Sequence, residues 1–111
     1  MHNLTKNEEI VLLSILRLEE SAYGVTIKHQ IQELTGSEWN YGLLYATLDQ
    51  LVKKGLLLKK EGKPMPERGG RRKIYYSITK AGNSALSDAY ELNMALWDGV
   101  SRFAQKDGEE A

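Results

Sequence analysis

The chain has 111 residues, 15 Lys/Arg against 15 Asp/Glu, and a formal net charge of zero, which fits a single domain with a modest core. It has no cysteine, so disulfides, thiolate metal sites and a cysteine nucleophile are excluded. No apolar run nears the ~20 residues of a membrane span, and the polar start through Glu9 is unlike a secretion signal, so a cytoplasmic protein is expected.

Thr5 with Glu8 three residues on forms a capping box, which predicts a first helix from Lys6. Its residues Ile10, Val11, Leu12, Leu13, Ile15, Leu16 and Leu18 are apolar almost all round. Such a helix is buried on most sides, either centrally or against a partner chain. Glu19, Glu20 and Ser21 end it in a turn, and Ser21 is expected to cap a second helix. There Tyr23, Ile27, Ile31 and Leu34 follow one stripe, and Gly36 stops the helix. Gly24, in its first turn, allows close approach of another helix or is simply a tolerated glycine. Glu38–Asn40 reads as a connector that could hold a one-bridge strand.

Asn40 caps a third helix. Leu44, Leu48 and Leu51 mark its core face, and Gly55 closes it. Its opposite face carries Tyr41, Leu43, Thr47, Gln50 and Lys54. Two runs of strand formers, Leu56–Glu61 and Lys73–Ile78, flank a Gly/Pro/Arg-rich tip and predict a β-hairpin. Thr79 then caps a last helix, in which Leu86, Ala89, Asn93, Leu96, Val100 and Phe103 recur at a 3-4 spacing suited to a dimer seam. Gly99 weakens the end of that helix.

The charge is not evenly spread. Between Lys53 and Lys73 nine Lys/Arg face two acids, Glu61 and Glu67. A neutral chain with one basic ribbon has a place for a polyanion. Three helices and a two-stranded hairpin make the winged helix-turn-helix plan. In that plan the third helix suits the major groove, and an Arg-rich hairpin tip suits phosphates or the minor groove. The expected fold is therefore mainly α with a small β-hairpin (α+β). Residues 1–79 form the DNA-binding unit, 80–105 a C-terminal dimerisation helix and 106–111 a disordered tail.

The chain resembles the PadR family of bacterial transcriptional regulators, in its short form. The resemblance is carried by Ala22-Tyr23-Gly24, by the run from Gly42 to Leu51, by Lys54-Gly55-Leu56, by Arg68-Gly69-Gly70-Arg71-Arg72-Lys73, by Tyr75-Tyr76-Ser77-Ile78-Thr79 and by Ala81-Gly82. Tyr41 departs from the family, where many members have Pro or a small residue. The resemblance implies a homodimeric repressor on a pseudo-palindromic double-stranded operator, dimerised by the C-terminal helix against the partner's first helix. Ile10, Leu13, Leu86, Ala89, Asn93, Leu96, Trp97, Val100 and Phe103 are the interface candidates. In one short-form branch a small aromatic effector sits between the C-terminal helices against a Trp. Trp97 is read either as such a stacker or as an ordinary interface anchor.

The DNA-binding candidates divide by chemistry. Asn40 is the cap, with neighbouring amides aimed at a phosphate. Tyr41, Leu43, Thr47 and Gln50 are assigned to the groove, Gln50 through an amide able to pair with adenine. Tyr45 reaches the backbone or packs half-buried. Lys28 and Lys54 are backbone candidates, and Arg68, Arg71, Arg72 and Lys73 carry the wing. No cofactor and no metal site are expected, since His2 and His29 lack paired ligand spacing. An enzyme is not expected either, because Gly62-Lys63-Pro64 is no phosphate loop. The competing reading is a winged-helix module for protein or RNA contact without operator specificity. It does not need the basic wing, and its stacking aromatics would have to be Tyr75 and Tyr76.

Overall fold

The computed structural model describes residues 3–64 and 72–100. In chain order these form α1 (Lys6–Leu18), a 3-10 turn (Glu19–Ser21), α2 (Gly24–Thr35), α3 (Tyr41–Lys53), β1 (Leu57–Pro64), β2 (Arg72–Ile78) and α4 (Lys80–Trp97). The plan is four helices and one hairpin, as the sequence predicts.

Each element starts and stops where local chemistry directs it. The Thr5 N–H donates to Glu8 Oε1 at 2.9 Å and the Glu8 N–H donates to Thr5 Oγ1 at 3.1 Å, which closes the capping box of α1. Asn40 Oδ1 accepts from the Leu43 N–H at 2.7 Å at the head of α3. Thr79 Oγ1 accepts from the Gly82 N–H at 3.0 Å at the head of α4, and its hydroxyl donates to the Gly55 carbonyl at 2.8 Å. Each cap satisfies a backbone donor that the first helical turn leaves free. Gly36 (φ 75°) and Gly55 (φ 77°) reverse the chain after α2 and α3 in the left-handed region that favours glycine.

The strands differ from the sequence reading at their ends, β1 starting at Leu57 and running on past Glu61 to Pro64 and β2 starting one residue earlier at Arg72, and two helix boundaries differ as well. Residues Glu19–Ser21 wind into a 3-10 turn, so α2 is capped at Tyr23 and not at Ser21. The Tyr23 N–H donates to Thr26 Oγ1 at 3.0 Å, and the Thr26 hydroxyl is shared between the carbonyls of Ser21 and Tyr23. The last helix is also shorter than residues 80–105. It ends at Trp97, and Gly99 takes φ 77°, a conformation that a helix cannot continue. Val100 therefore lies in a turn, while Phe103 and the expected tail at 106–111 fall outside the described residues.

The core forms where the helical stripes meet the hairpin. Val11, Leu12 and Ile15 of α1, Ile27 and Ile31 of α2, and Leu44, Leu48 and Leu51 of α3 are buried together with Leu56, Leu57, Tyr76 and Ala85. Trp39, in the α2–α3 connector, belongs to the same cluster. Burial, with the Asp49 carboxylate nearby, pushes the Tyr76 phenol up to about 12, so it stays neutral.

The hairpin is antiparallel, pairing Leu57 with Ile78, Lys59 with Tyr76 and Glu61 with Ile74, and its register shifts between Glu61 and Pro64. The expected bridge at Glu38–Asn40 is not formed. Instead Tyr23 bridges Tyr75, and the Tyr76 N–H donates to the Ala22 carbonyl at 2.9 Å. The α2 head thus acts as a third, one-residue edge for β2. At the hairpin base Gly82 brings α4 so close that a Cβ would strike the Leu56 carbonyl and come 2.8 Å from Ile78 Cγ2.

Candidate nucleic-acid interface

The exposed start of α3 is the centre of the site. With Leu44, Leu48 and Leu51 fixed inward, helical geometry turns Leu43 and Tyr45 to the flanks, while Tyr41 shares the leucine stripe but stands at the first helical residue; all three are about 40% exposed. Gln50 lies exposed one to two turns further on. The Tyr41 and Tyr45 rings stack, with centroids 6.0 Å apart and planes at 23°. Lys28, reaching across from α2, holds Nζ 5.4 Å from the Tyr41 ring centroid and 3.4 Å from Glu38 Oε2. A cation over an aromatic face in this range is attracted by the ring quadrupole.

The hairpin supplies the flanking cations. Lys73 Nζ lies 4.3 Å from the Tyr23 ring centroid, and the Tyr23 ring meets Tyr75 edge-on at 5.5 Å. Arg72 is half exposed, with a long 3.8 Å ion pair to Glu61. Lys59 and Lys60 are exposed on β1. Arg68 and Arg71 lie outside the described residues.

Two of the expected DNA-binding residues are occupied elsewhere. Thr47 is only 9% exposed, and its hydroxyl donates to the Leu43 carbonyl one turn back at 2.8 Å. This back-bonding is a common use of a mid-helix threonine, and it turns the side chain away from a groove. Lys54 Nζ lies 2.6 Å from Glu8 Oε2. Burial works against the Glu8 carboxylate, but the Lys54 ammonium and the Thr5 cap outweigh it and hold the carboxyl below its ordinary range. Lys54 therefore ties the end of α3 to the start of α1.

The interface candidates fall into two groups. Ile10, Leu86 and Ala89 are partly buried within the chain, and the Asn93 amide donates to Glu9 Oε2 at 3.0 Å. Leu13, Leu96, Trp97 and Val100 are open to solvent, at 38%, 64%, 55% and 50% exposure. They are joined by residues that the 3-4 spacing does not single out, Tyr90, Leu92 and Met94, all more than half exposed. A groove of about 680 Å³ opens beneath the hairpin between Leu16, Glu19, Tyr75 and Asn83, and Trp97 does not line it.

Sequence reasoning misses Tyr23 as a partner of the wing and Glu8 as an ion-pair partner. The sequence pattern marks Tyr23 only as the first member of the α2 stripe, and Glu8 only as a cap. For Tyr23 a signal exists, since an aromatic immediately before a glycine at a helix head has its ring outside the helix.

Comparison with known proteins agrees with this architecture. The model of the transcriptional regulator PadR-like family matches residues 12–88, while no curated protein matches the chain. A complex structure of RosR from H. salinarum is similar at 28% identity and TM-score 0.67, covering 98% of this chain and 93% of that one. A PadR family transcription regulator from hypervirulent Clostridium difficile is similar at 25% identity and TM-score 0.62, over 89% of this chain and 95% of that one. A winged-helix DNA-binding protein from STIV shares the fold at 16% identity and TM-score 0.64, over 84% and 92% of the two chains. With the matched segment running from α1 into α4 and taking in the recognition helix and hairpin, the chain belongs to the PadR-like family of transcriptional regulators.

Proposed function

We propose that the chain is a homodimeric repressor that binds a pseudo-palindromic operator in double-stranded DNA. The observation that carries this reading is the composition of one surface. An uncharged, exposed helix face (Tyr41, Leu43, Tyr45, Gln50) has the Lys28 ammonium over Tyr41, and the hairpin adds the exposed Arg72 and also Lys73, whose ammonium lies over Tyr23, beside the Gly24 against which Tyr45 lies. The face has the size and chemistry to read base edges, and these cations can hold phosphates. Arg68 and Arg71, outside the described residues, are assigned the same role from the sequence.

Dimerisation is supported by α4, whose second half presents Tyr90, Leu92, Met94, Leu96 and Trp97 to solvent. A stretch this apolar on a protein surface marks an interaction site, and Leu13 and Leu16 of α1 offer a matching exposed strip. Two copies of the recognition helix would then meet two half-sites about one helical turn apart. In this reading a small aromatic effector enters between the two α4 helices against Trp97 and relieves operator binding.

The test is fluorescence anisotropy on a duplex from the region upstream of the protein's own gene, at several salt concentrations. Arg72→Ala with Lys73→Ala should weaken binding to all duplexes and lower the salt slope by about one for each phosphate no longer neutralised. Gln50→Ala should change which duplex is preferred. Binding that is absent, or blind to sequence, refutes the reading.

A further inference from the structure

Gly24 stands at the head of α2, buried, with no left-handed φ that would require a glycine. Its backbone conformation would accept any residue, so the reason for glycine must be space. A Cβ there would collide with the Tyr45 hydroxyl and lie 3.0 Å from Tyr45 Cζ. The three atoms nearest to that Cβ all belong to the Tyr45 ring and its hydroxyl, and none to backbone or core. What an alanine would displace is the outer end of one flexible, 42% exposed side chain.

That side chain belongs to a column. The Tyr45 phenol seats on Gly24, the Tyr41 ring stacks on Tyr45, and the Lys28 ammonium lies over Tyr41. The column runs across the exposed start of α3. A ring displaced at its base no longer stacks in register at its top. Stability need not suffer, because neither tyrosine is core, but the surface offered by α3 changes.

We propose that Gly24 is a specificity-determining position. By lacking a Cβ it seats Tyr45 against α2, and through the Tyr45–Tyr41 stack it sets the shape that the recognition helix offers to base edges. Gly24 is a positioning residue, acting through Tyr45 and Tyr41. The proposal rests on the DNA-binding reading above.

The test is a cycle of Gly24→Ala, Tyr45→Phe and the double variant, each in the full chain. In the free protein, the NMR ring resonances of Tyr41 and Tyr45 should move in Gly24→Ala while the melting temperature is unchanged or raised. On the preferred duplex, Gly24→Ala should lose about tenfold in affinity, the scale of one good base contact. Its salt slope should be unaltered, because no phosphate contact is removed. Removing the obstructing hydroxyl should rescue it, so that the double variant binds within about twofold of Tyr45→Phe alone, the margin expected where the pair no longer couples. Gly24→Ala with wild-type ring resonances, with wild-type affinity and preference, or with no rescue in the double variant overturns the proposal. A wild type that binds no duplex removes the DNA reading and this role with it, whereas wild-type binding combined with an insensitive Gly24→Ala removes this role alone.

Discussion

The pair of Glu8 and Lys54 joins the first helix to the end of the recognition helix across 46 residues of chain, and its removal gives a quantitative expectation. Glu8 keeps only 4% of its side chain exposed, while Lys54 keeps 37%. Deleting one partner of a fully buried pair costs about 3–5 kcal/mol, and a fully exposed pair contributes about 0.2–1 kcal/mol. Lys54 lies between these limits, so Lys54→Met should destabilise by about 2 kcal/mol. For a domain of this size that is a fall of about 8 °C in melting temperature, read at fixed protein concentration because a dimer's melting depends on it. Glu8→Gln should lose a similar amount, and the double variant should lose much less than the sum.

The pH dependence of that pair has a definite sign. The folded Glu8 carboxyl is held below its ordinary value of 4.5. Its contribution is therefore fully present above that value and is lost as pH falls through the folded one. The gap between wild type and Lys54→Met should be constant from pH 7 down to about pH 5 and then narrow. Thermal melts followed by circular dichroism across that range are the assay. Equal melting temperatures at pH 7, or a gap that widens with acid, would refute the reasoning. If Lys54 instead binds a DNA phosphate, Lys54→Met would lower the salt slope of duplex binding by about one, which this account does not expect.

Gly82→Ala should destabilise by about 1–3 kcal/mol, because its Cβ meets the Leu56 carbonyl and Ile78 Cγ2 where neither can swing aside; chemical denaturation measures it. Leu48→Ala, at a position with 0% exposure, should cost about 3–5 kcal/mol and leave the m-value unchanged if no new state is populated. A chain ending at Ser87 lacks the exposed half of α4 and should be monomeric by light scattering where the full chain is a dimer; a truncated dimer would count against α4 as the seam.

Element boundaries are legible in the sequence wherever a single residue decides them. Thr5, Asn40 and Thr79 cap helices through side-chain oxygens, and Gly36 and Gly55 end them through φ, so each signal is complete within four residues. The alternation of β2 likewise places Tyr76 in the core and Tyr75 nearer the surface. What is not legible depends on contacts between distant segments. Thr47 and Gln50 are both polar residues of α3, yet Thr47, between Leu44 and Leu51 at the edge of the core stripe, is buried and bonds back to Leu43, while Gln50 is exposed. Lys54 has the sequence of a free C-terminal cation, and only the fold brings Glu8 beside it. The bridge expected in the α2–α3 connector forms instead at Tyr23, because the 3-10 turn before α2 swings that backbone onto β2. The seam pattern of α4 reads through Gly99 as though the helix continued, but the left-handed φ there ends it.

The central claim is that the exposed start of α3 reads a defined DNA sequence as part of a symmetric pair. Selection of duplexes bound by the full-length protein from a randomised pool tests it most directly. The account predicts an enriched, two-fold symmetric motif with half-sites about 10 base pairs apart, and loss of that motif's base preferences in Gln50→Ala. A pool that stays random after selection, or an enriched motif that Gln50→Ala and Tyr41→Ala leave untouched, would contradict it.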